Sequence, residues 1–139
     1  MDVDNLEDVY WALRGGLGVT AFAAGADKFT HLLTHWEKYL APQIEEHLPL
    51  DGKAFMKAVG VIEMAVGVGI LTRQKWAPWA AAGWLTCIAT DLILNKDRDI
   101  AVRDLNMAIG AFALARMEQR RNRIRGEREI VPEIAQSAA

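Results

Sequence analysis

Eight polar side chains sit inside or at the ends of long apolar stretches of this sequence: Arg14, Asp27, Lys28, Glu63, Asp91, Arg103, Asp104 and Asn106. An ionisable group in apolar surroundings is expensive unless it is paired or hydrated, so each is a functional candidate by default. A carboxyl such as Glu63 can take or give a proton there, and its neighbours can hold a polar head such as a quinone carbonyl or a small anion. The histidines, His31, His35 and His47, fall together in one segment, and His31 and His35 are four apart. On a helix that spacing puts them on one face, which raises a metal or haem site. With no Asp or Glu read at ligand spacing, the pair is expected to be a solvated or interfacial face that holds no metal. Because all three lie in that segment, none is left to hold a haem between helices. Cys87 is the single cysteine, so an intrachain disulfide, a CxxC centre, a cysteine-ligated iron-sulfur cluster and a multi-cysteine zinc site are excluded together.

The elements that must position these groups follow from where the charge lies. The chain has 139 residues, 52% hydrophobic and 24% charged, with net charge −2, and a mean hydropathy of +0.05. That composition describes one domain and excludes a disordered chain or a general nucleic-acid binder. Charge concentrates in the first eight residues, between 27 and 57, near 73 and 97, and after 115. Four apolar segments remain, over residues 9–26, 54–72, 76–94 and 99–117, each about the 20 residues that a 30 Å hydrocarbon core demands. The expected fold is all-α: an integral membrane four-helix bundle over 9–117, with an acidic cytoplasmic N-terminus (1–8) and a basic, then flexible, cytoplasmic tail (118–139).

A soluble four-helix bundle is the competing reading, since charges interrupt the segments and uninterrupted apolar runs of about 11 to 15 residues also occur in buried helices. Against it, the segments are apolar nearly all round, where a soluble bundle needs a polar stripe on every helix. Residues 76–90 carry no charge, and Trp11, Trp76 and Trp79 fall at segment ends as an aromatic belt would. Glycines at 15, 16, 18, 60, 67, 69, 83 and 110 weaken soluble helices but allow close approach in a membrane. The acidic start, Asp2, Asp4, Glu7 and Asp8, is the opposite of a cationic leader, so the first segment is expected to be retained.

Loop bases set the orientation. One side carries Arg73, Lys75, Arg116, Arg120, Arg121, Arg123, Arg125 and Arg128, and the other Lys38, Lys53, Lys57, Lys96 and Arg98, which favours both termini in the cytoplasm. In the first outer loop, Phe29, Leu32, Leu33, Trp36, Tyr39 and Leu40 recur at helical spacing over 28–41, which predicts an interfacial helix. The run after Arg116 predicts a helical extension that meets anionic headgroups. At a rise of 1.5 Å per residue, Glu63 lies about 13 Å and Arg14 about 18 Å below the outer surface, with Asn106 at about 10 Å. The remaining five lie within about 8 Å of it. This depth predicts a polar column in which Arg14 meets Glu63, and Arg103 meets Asp27 or Asp91. Such pairs either pin helix register or line a binding cavity, and both are compatible.

Four stretches, LRGGLGVTAFAAGADKF, WEKYLAP, GVIEMAVGVGIL and DIAVRDLNMAIGAFALARM, give the chain a resemblance to the DoxX-like family of small four-helix bacterial membrane proteins. The positions that match by motif are Arg14, Gly25, Asp27, Lys28, Gly60, Glu63, Gly67, Arg103 and Asp104. The resemblance implies an accessory subunit of a quinone-linked oxidoreductase in the bacterial inner membrane, with quinone as the cofactor implied. Electrons would pass through the quinone or a partner subunit, since the chain has no cofactor motif of its own. A membrane assembly or scaffold protein packing on other subunits or on a second copy is the alternative. A small-solute or proton-coupled transporter, which would need a dimer to form a pathway, is a third.

Overall fold

The computed structural model describes the backbone of residues 3–49 and 51–137 and the side chains of residues 6–49 and 51–126. Among the described residues the chain is all-helical: α1 (Val3–Thr30), α2 (Pro42–Glu45), α3 (Gly52–Leu71), α4 (Ala77–Leu94) and α5 (Arg98–Ser137), with a 3-10 turn at Trp36–Tyr39. α3 and α4 match the expected segments to within two residues. α1 overruns its segment at both ends, and α5 continues far past residue 117 as the predicted helical extension. Met1 and Asp2 of the acidic start and the last two residues of the tail lie outside the described residues. α3 and α4 are long and apolar enough to cross a membrane. α1 and α5 are more dilute, the first through Arg14 and its run of glycines, the second through Arg103, Asp104 and Asn106.

Helix ends follow local chemistry. The Asp51 carboxylate accepts from the amides of Lys53 and Ala54 and caps α3, and Pro78 sits in the first turn of α4. α3 and α4 both end in a Schellman arrangement with a basic residue in the left-handed conformation, Arg73 (φ 64°) and Lys96 (φ 69°). Gln74 N–H then donates to Gly69 O (2.8 Å) and Asp97 N–H to Leu92 O (2.9 Å). These tight reversals lay α4 beside α3 and α5 beside α4.

The interfacial helix expected over 28–41 does not form. His31 takes φ 53° and ends α1, and only the short 3-10 turn and the single turn of α2 follow. The cause is Asp27, whose carboxylate captures the Leu32 and Leu33 amides (2.8 and 3.1 Å). In a continuing helix those amides would have bonded backbone carbonyls.

α1 packs closely on α3 and α4 on α5, while the seam between the two pairs is looser. Glycine explains the first pair. A Cβ at Gly25 would lie 2.5 Å from Gly60 O and 2.8 Å from Met64 N, and one at Gly67 would lie 2.7 Å from Phe22 N and 2.8 Å from Gly18 O. Gly18 and Gly25, like Gly60 and Gly67, are seven apart, close to two full turns, so each set lies on one face and the antiparallel backbones touch along it. Gly15, Gly16 and Gly83, expected to do the same, meet nothing within 4 Å. Tyr10, Leu17, Val66, Ile70, Ala77, Ala81, Ala111 and Leu114 join all four long helices in one core near the start of α1.

Gly60→Val forces a side chain into backbone that cannot rotate away, and it should lower the thermal unfolding midpoint of the purified protein by an amount equivalent to about 1–3 kcal/mol. Gly83→Ala, in open space, should leave it unchanged or raise it by up to about 1 kcal/mol. Equal midpoints for Gly60→Val and the unsubstituted chain would show that this contact does not organise the fold.

Candidate functional site

A cavity of about 570 Å³ occupies the seam between the two helix pairs. Its wall is mostly apolar, with Leu17 and Ala21 from α1, Val59 and Val66 from α3, Leu85 and Ile88 from α4, and Met107 from α5. The connection after α1 closes it with Leu33, Trp36, Tyr39 and Leu40. Polar groups line it among these: Lys28, Glu63, Asp91, Arg103, Asp104, the Thr20 hydroxyl and the Trp84 indole. Lys28 Nζ donates to Glu63 Oε2 at 2.5 Å, both side chains nearly excluded from solvent. The same ammonium lies 4.0 Å from the centroid of the Trp36 ring, a cation–π contact. The Trp84 Nε1–H is buried and has no partner. An unpaired buried donor is costly, and the Trp84 ring itself lines the cavity beside Glu63.

The pairing differs from the one expected by depth. Arg14 does not meet Glu63, because Cα–Cβ bonds tilt toward the N-terminus of their helix. Arg14 therefore leans back toward the start of α1, Lys28 leans inward along the same helix, and Glu63 leans toward the start of α3, where Lys28 arrives. Gly67 sits between Gly18 and Phe22, and Gly25 between Gly60 and Met64, so Glu63 stands level with about Ala24, about 6 Å along the axis from Lys28. A lysine and a glutamate side chain span that distance together.

Arg14 instead enters a second cluster at the opposite end. It is 1% exposed and donates to Ile70 O and to the Glu118 carboxylate, which also accepts from the Tyr10 hydroxyl. Arg14 and Arg121 lie 4.9 and 4.2 Å from the centroid of the Tyr10 ring, and Arg121 pairs with Glu7. The cluster ties α1, α3 and α5 together below the core. Glu118 escaped the sequence reading because the fourth segment was ended one residue before it. Tyr10 carried a usable signal, one helical turn before Arg14 on the same face.

Of the other candidates, Asp91 and Arg103 also line the cavity, whereas Asp27 and Asn106 are not part of its lining. Asp27 does not meet Arg103; it accepts from Leu32, Leu33, Thr30 Oγ1 (3.1 Å) and Trp36 Nε1 (2.8 Å) and pins the connection over the cavity. Desolvation works to raise its pKa, but the bonds from Trp36, Leu33, Leu32 and Thr30 outweigh that and hold it at about 2. Asp91 accepts from the Ala41 amide (3.0 Å), and Asn95 Nδ2 donates to Lys38 O (2.9 Å), so α4 fastens the other end of the connection. Arg103, its side chain 57% exposed, pairs with its neighbour Asp104 at 2.8 Å. Asn106 faces outward and donates to Val102 O, so it takes no part in the cavity. His31 and His35 share no helix face either. The left-handed turn at His31 brings them into one pocket of the loop, where the His31 ring donates to Glu37 at 3.1 Å.

Breaking a buried pair by removing one partner costs about 3–5 kcal/mol. Arg14→Gln and Glu118→Gln should therefore each destabilise strongly, and the double variant should fall short of their sum by about 0.5–3 kcal/mol. Arg14→Gln with Glu63→Gln, which share no partner, should add to within about 0.5 kcal/mol; coupling there in denaturant melts would contradict two separate clusters. Asp27 supplies a pH test. Its carboxyl titrates at about 2 when folded against 3.8 as an ordinary aspartate. Between those values the unfolded chain binds the extra proton, so its stabilisation is whole above pH 3.8 and lost as pH falls through 2. The unfolding midpoint should drop across that window, and Asp27→Asn should flatten the drop; an unaltered slope would exclude Asp27 as its source.

No protein-family model, curated protein or solved structure matches the chain, so the site's own geometry carries the functional argument.

Proposed function

We propose that the chain is a DoxX-like, four-span integral protein of the bacterial inner membrane with both termini cytoplasmic. In this reading it is an accessory subunit of a quinone-linked oxidoreductase, and the quinone head binds in the cavity beside Lys28, Glu63 and Trp84. The observation that carries the proposal is the cavity itself: apolar walls, a volume usual for a small-molecule site, and the Lys28–Glu63 pair and Trp84 ring on its wall. A quinone offers a flat apolar ring for the walls and a carbonyl oxygen for the N–H. Reduction to the quinol takes two electrons and two protons. A bound quinone would take its electrons from a partner dehydrogenase subunit; Glu63, bonded to Lys28, would give one proton to the carbonyl oxygen beside it, and the second oxygen would take its proton from water.

Membrane insertion is supported by what faces outward. Val19, Phe22, Val61, Val68, Ile93, Val102, Ile109 and Phe112 are all exposed, on all four long helices. In α4 only 28% of the apolar window is buried inside the protein, whereas a soluble core helix hides most of its apolar surface. Trp11, Trp76 and Trp79 are exposed near helix ends, as interfacial anchors would be. The apolar strip of Val102, Leu105, Ile109 and Phe112 along α5 also favours a second reading, a scaffold whose outer face packs on another membrane subunit.

The test is binding in lipid nanodiscs, after confirming that the protein stays in the membrane fraction through a carbonate wash. Naphthoquinone and benzoquinone analogues should quench tryptophan fluorescence saturably. Trp84→Phe should weaken binding about 5- to 10-fold, which corresponds to one lost hydrogen bond of about 1–1.5 kcal/mol. Non-saturable quenching, or identical affinity in Trp84→Phe and Glu63→Gln, would remove the quinone site and leave the scaffold reading.

A further inference from the structure

The loop that closes the cavity holds a second set of groups, which neither the cavity chemistry nor the helix packing uses. His31, His35 and Glu37 each present one donor atom, and the three donors lie within 4.8 Å of one another, the one such group of metal-ligating side chains among the described residues. The His31 and His35 rings are 5.4 Å apart between centroids and inclined by 31°, and His31 Nε2 is 3.1 Å from Glu37 Oε1. We propose that these three side chains form a binding site for a divalent transition-metal ion of the zinc class.

The donor chemistry suits that class. Two imidazoles and one carboxylate are borderline ligands, preferred by zinc and its neighbours over calcium or magnesium, which take all-oxygen sets. Bonds of about 2.0–2.1 Å in a tetrahedron place donors roughly 3.3 Å apart. His31 and Glu37 already stand at that separation, so only His35 has to swing in by a small rotation. It is free to do so, because His35 is exposed while His31 and Glu37 are half-buried. Three protein ligands leave the fourth position open to solvent.

The loop is built to keep the donors in place. Asp27 holds the backbone at Leu32 and Leu33 and the indole of Trp36 on either side of His35. The 3-10 turn then carries Glu37 back to His31. The helical reading of 28–41 could not bring them together, since Glu37 reaches His31 only after α1 stops. Leu33 and Trp36, which interleave with the ligands in sequence, line the cavity. An ion bound here therefore cross-links the end of α1 to the wall that closes the cavity, and bound metal stabilises that closed form by mass action.

The experiment uses full-length, tag-free protein stripped with chelator and titrated with zinc chloride by calorimetry, with cobalt(II) absorption as a report on geometry. One equivalent should bind, cobalt should give the intense visible bands of a tetrahedral site, and zinc should slow amide exchange over residues 31–41. His31→Ala, His35→Ala and Glu37→Gln should each weaken binding by about tenfold or more, with His47→Ala unchanged. His35→Ala alters an exposed side chain, so it keeps the test valid if His31→Ala disturbs the turn. No binding of zinc, or binding equal in the unsubstituted chain and all three ligand variants, would overturn the proposal. Binding lost in His47→Ala instead would do the same.

Discussion

The backbone contact between α1 and α3 is the constraint on which the rest of the molecule depends. Gly25, Gly60 and Gly67 let two antiparallel helices approach until a side chain's first carbon would strike the facing backbone, and Gly18 makes room for Leu71. Such a contact has almost no latitude, because backbone cannot change rotamer. It sets the axial register of the pair, and that register brings Lys28 within reach of Glu63. It also draws these two helices together, away from α4 and α5, and the space left in the wider seam is the cavity.

Buried charge is handled at the two ends of this pair by different means. Near the start of α1, Arg14, Glu118, Tyr10 and the Ile70 carbonyl form a network that joins three helices and leaves Arg14 Nε without a partner. Nothing there opens on a cavity, so its role is positional. At the other end Lys28 and Glu63 neutralise each other on the wall of a cavity that the Trp84 ring also lines. A network enclosed by packing holds a structure together, whereas one on a cavity wall is open to a ligand. That difference is why the proposed quinone site rests on the second cluster.

The connection between α1 and α3 acts as a structured cap. Asp27 holds its start, Asp91 and Asn95 hold its middle to α4, and the Asp51 cap begins the next helix. Each fastening is a carboxylate or amide side chain satisfying backbone groups that irregular chain would otherwise leave unpaired. Of the aromatic side chains that the sequence shows at helical spacing, Trp36 and Tyr39 roof the cavity, while Phe29 stays exposed.

Much of the helical layout was legible in the sequence. The apolar segments, their length, Pro78 in a first turn and the helical extension beyond residue 117 all follow from patterns within about 20 neighbouring residues. Which polar positions are unusual was legible too, since a charge in an apolar run is visible without knowing its partner. The partners were not. Depth counted along a helix ignores the tilt of side chains toward the N-terminus, and so it matched Arg14 with Glu63 where the fold matches Arg14 with Glu118 and Lys28 with Glu63. Local periodicity likewise could not reveal that Asp27 would outbid the helix for two amides and fold His31, His35 and Glu37 together. The sequence by itself determined which segments become helices and which groups must find partners, because both are local questions of hydrophobicity and cost. Tertiary structure decided who the partners are, because that depends on register and on side-chain direction, which exist only once two helices have packed.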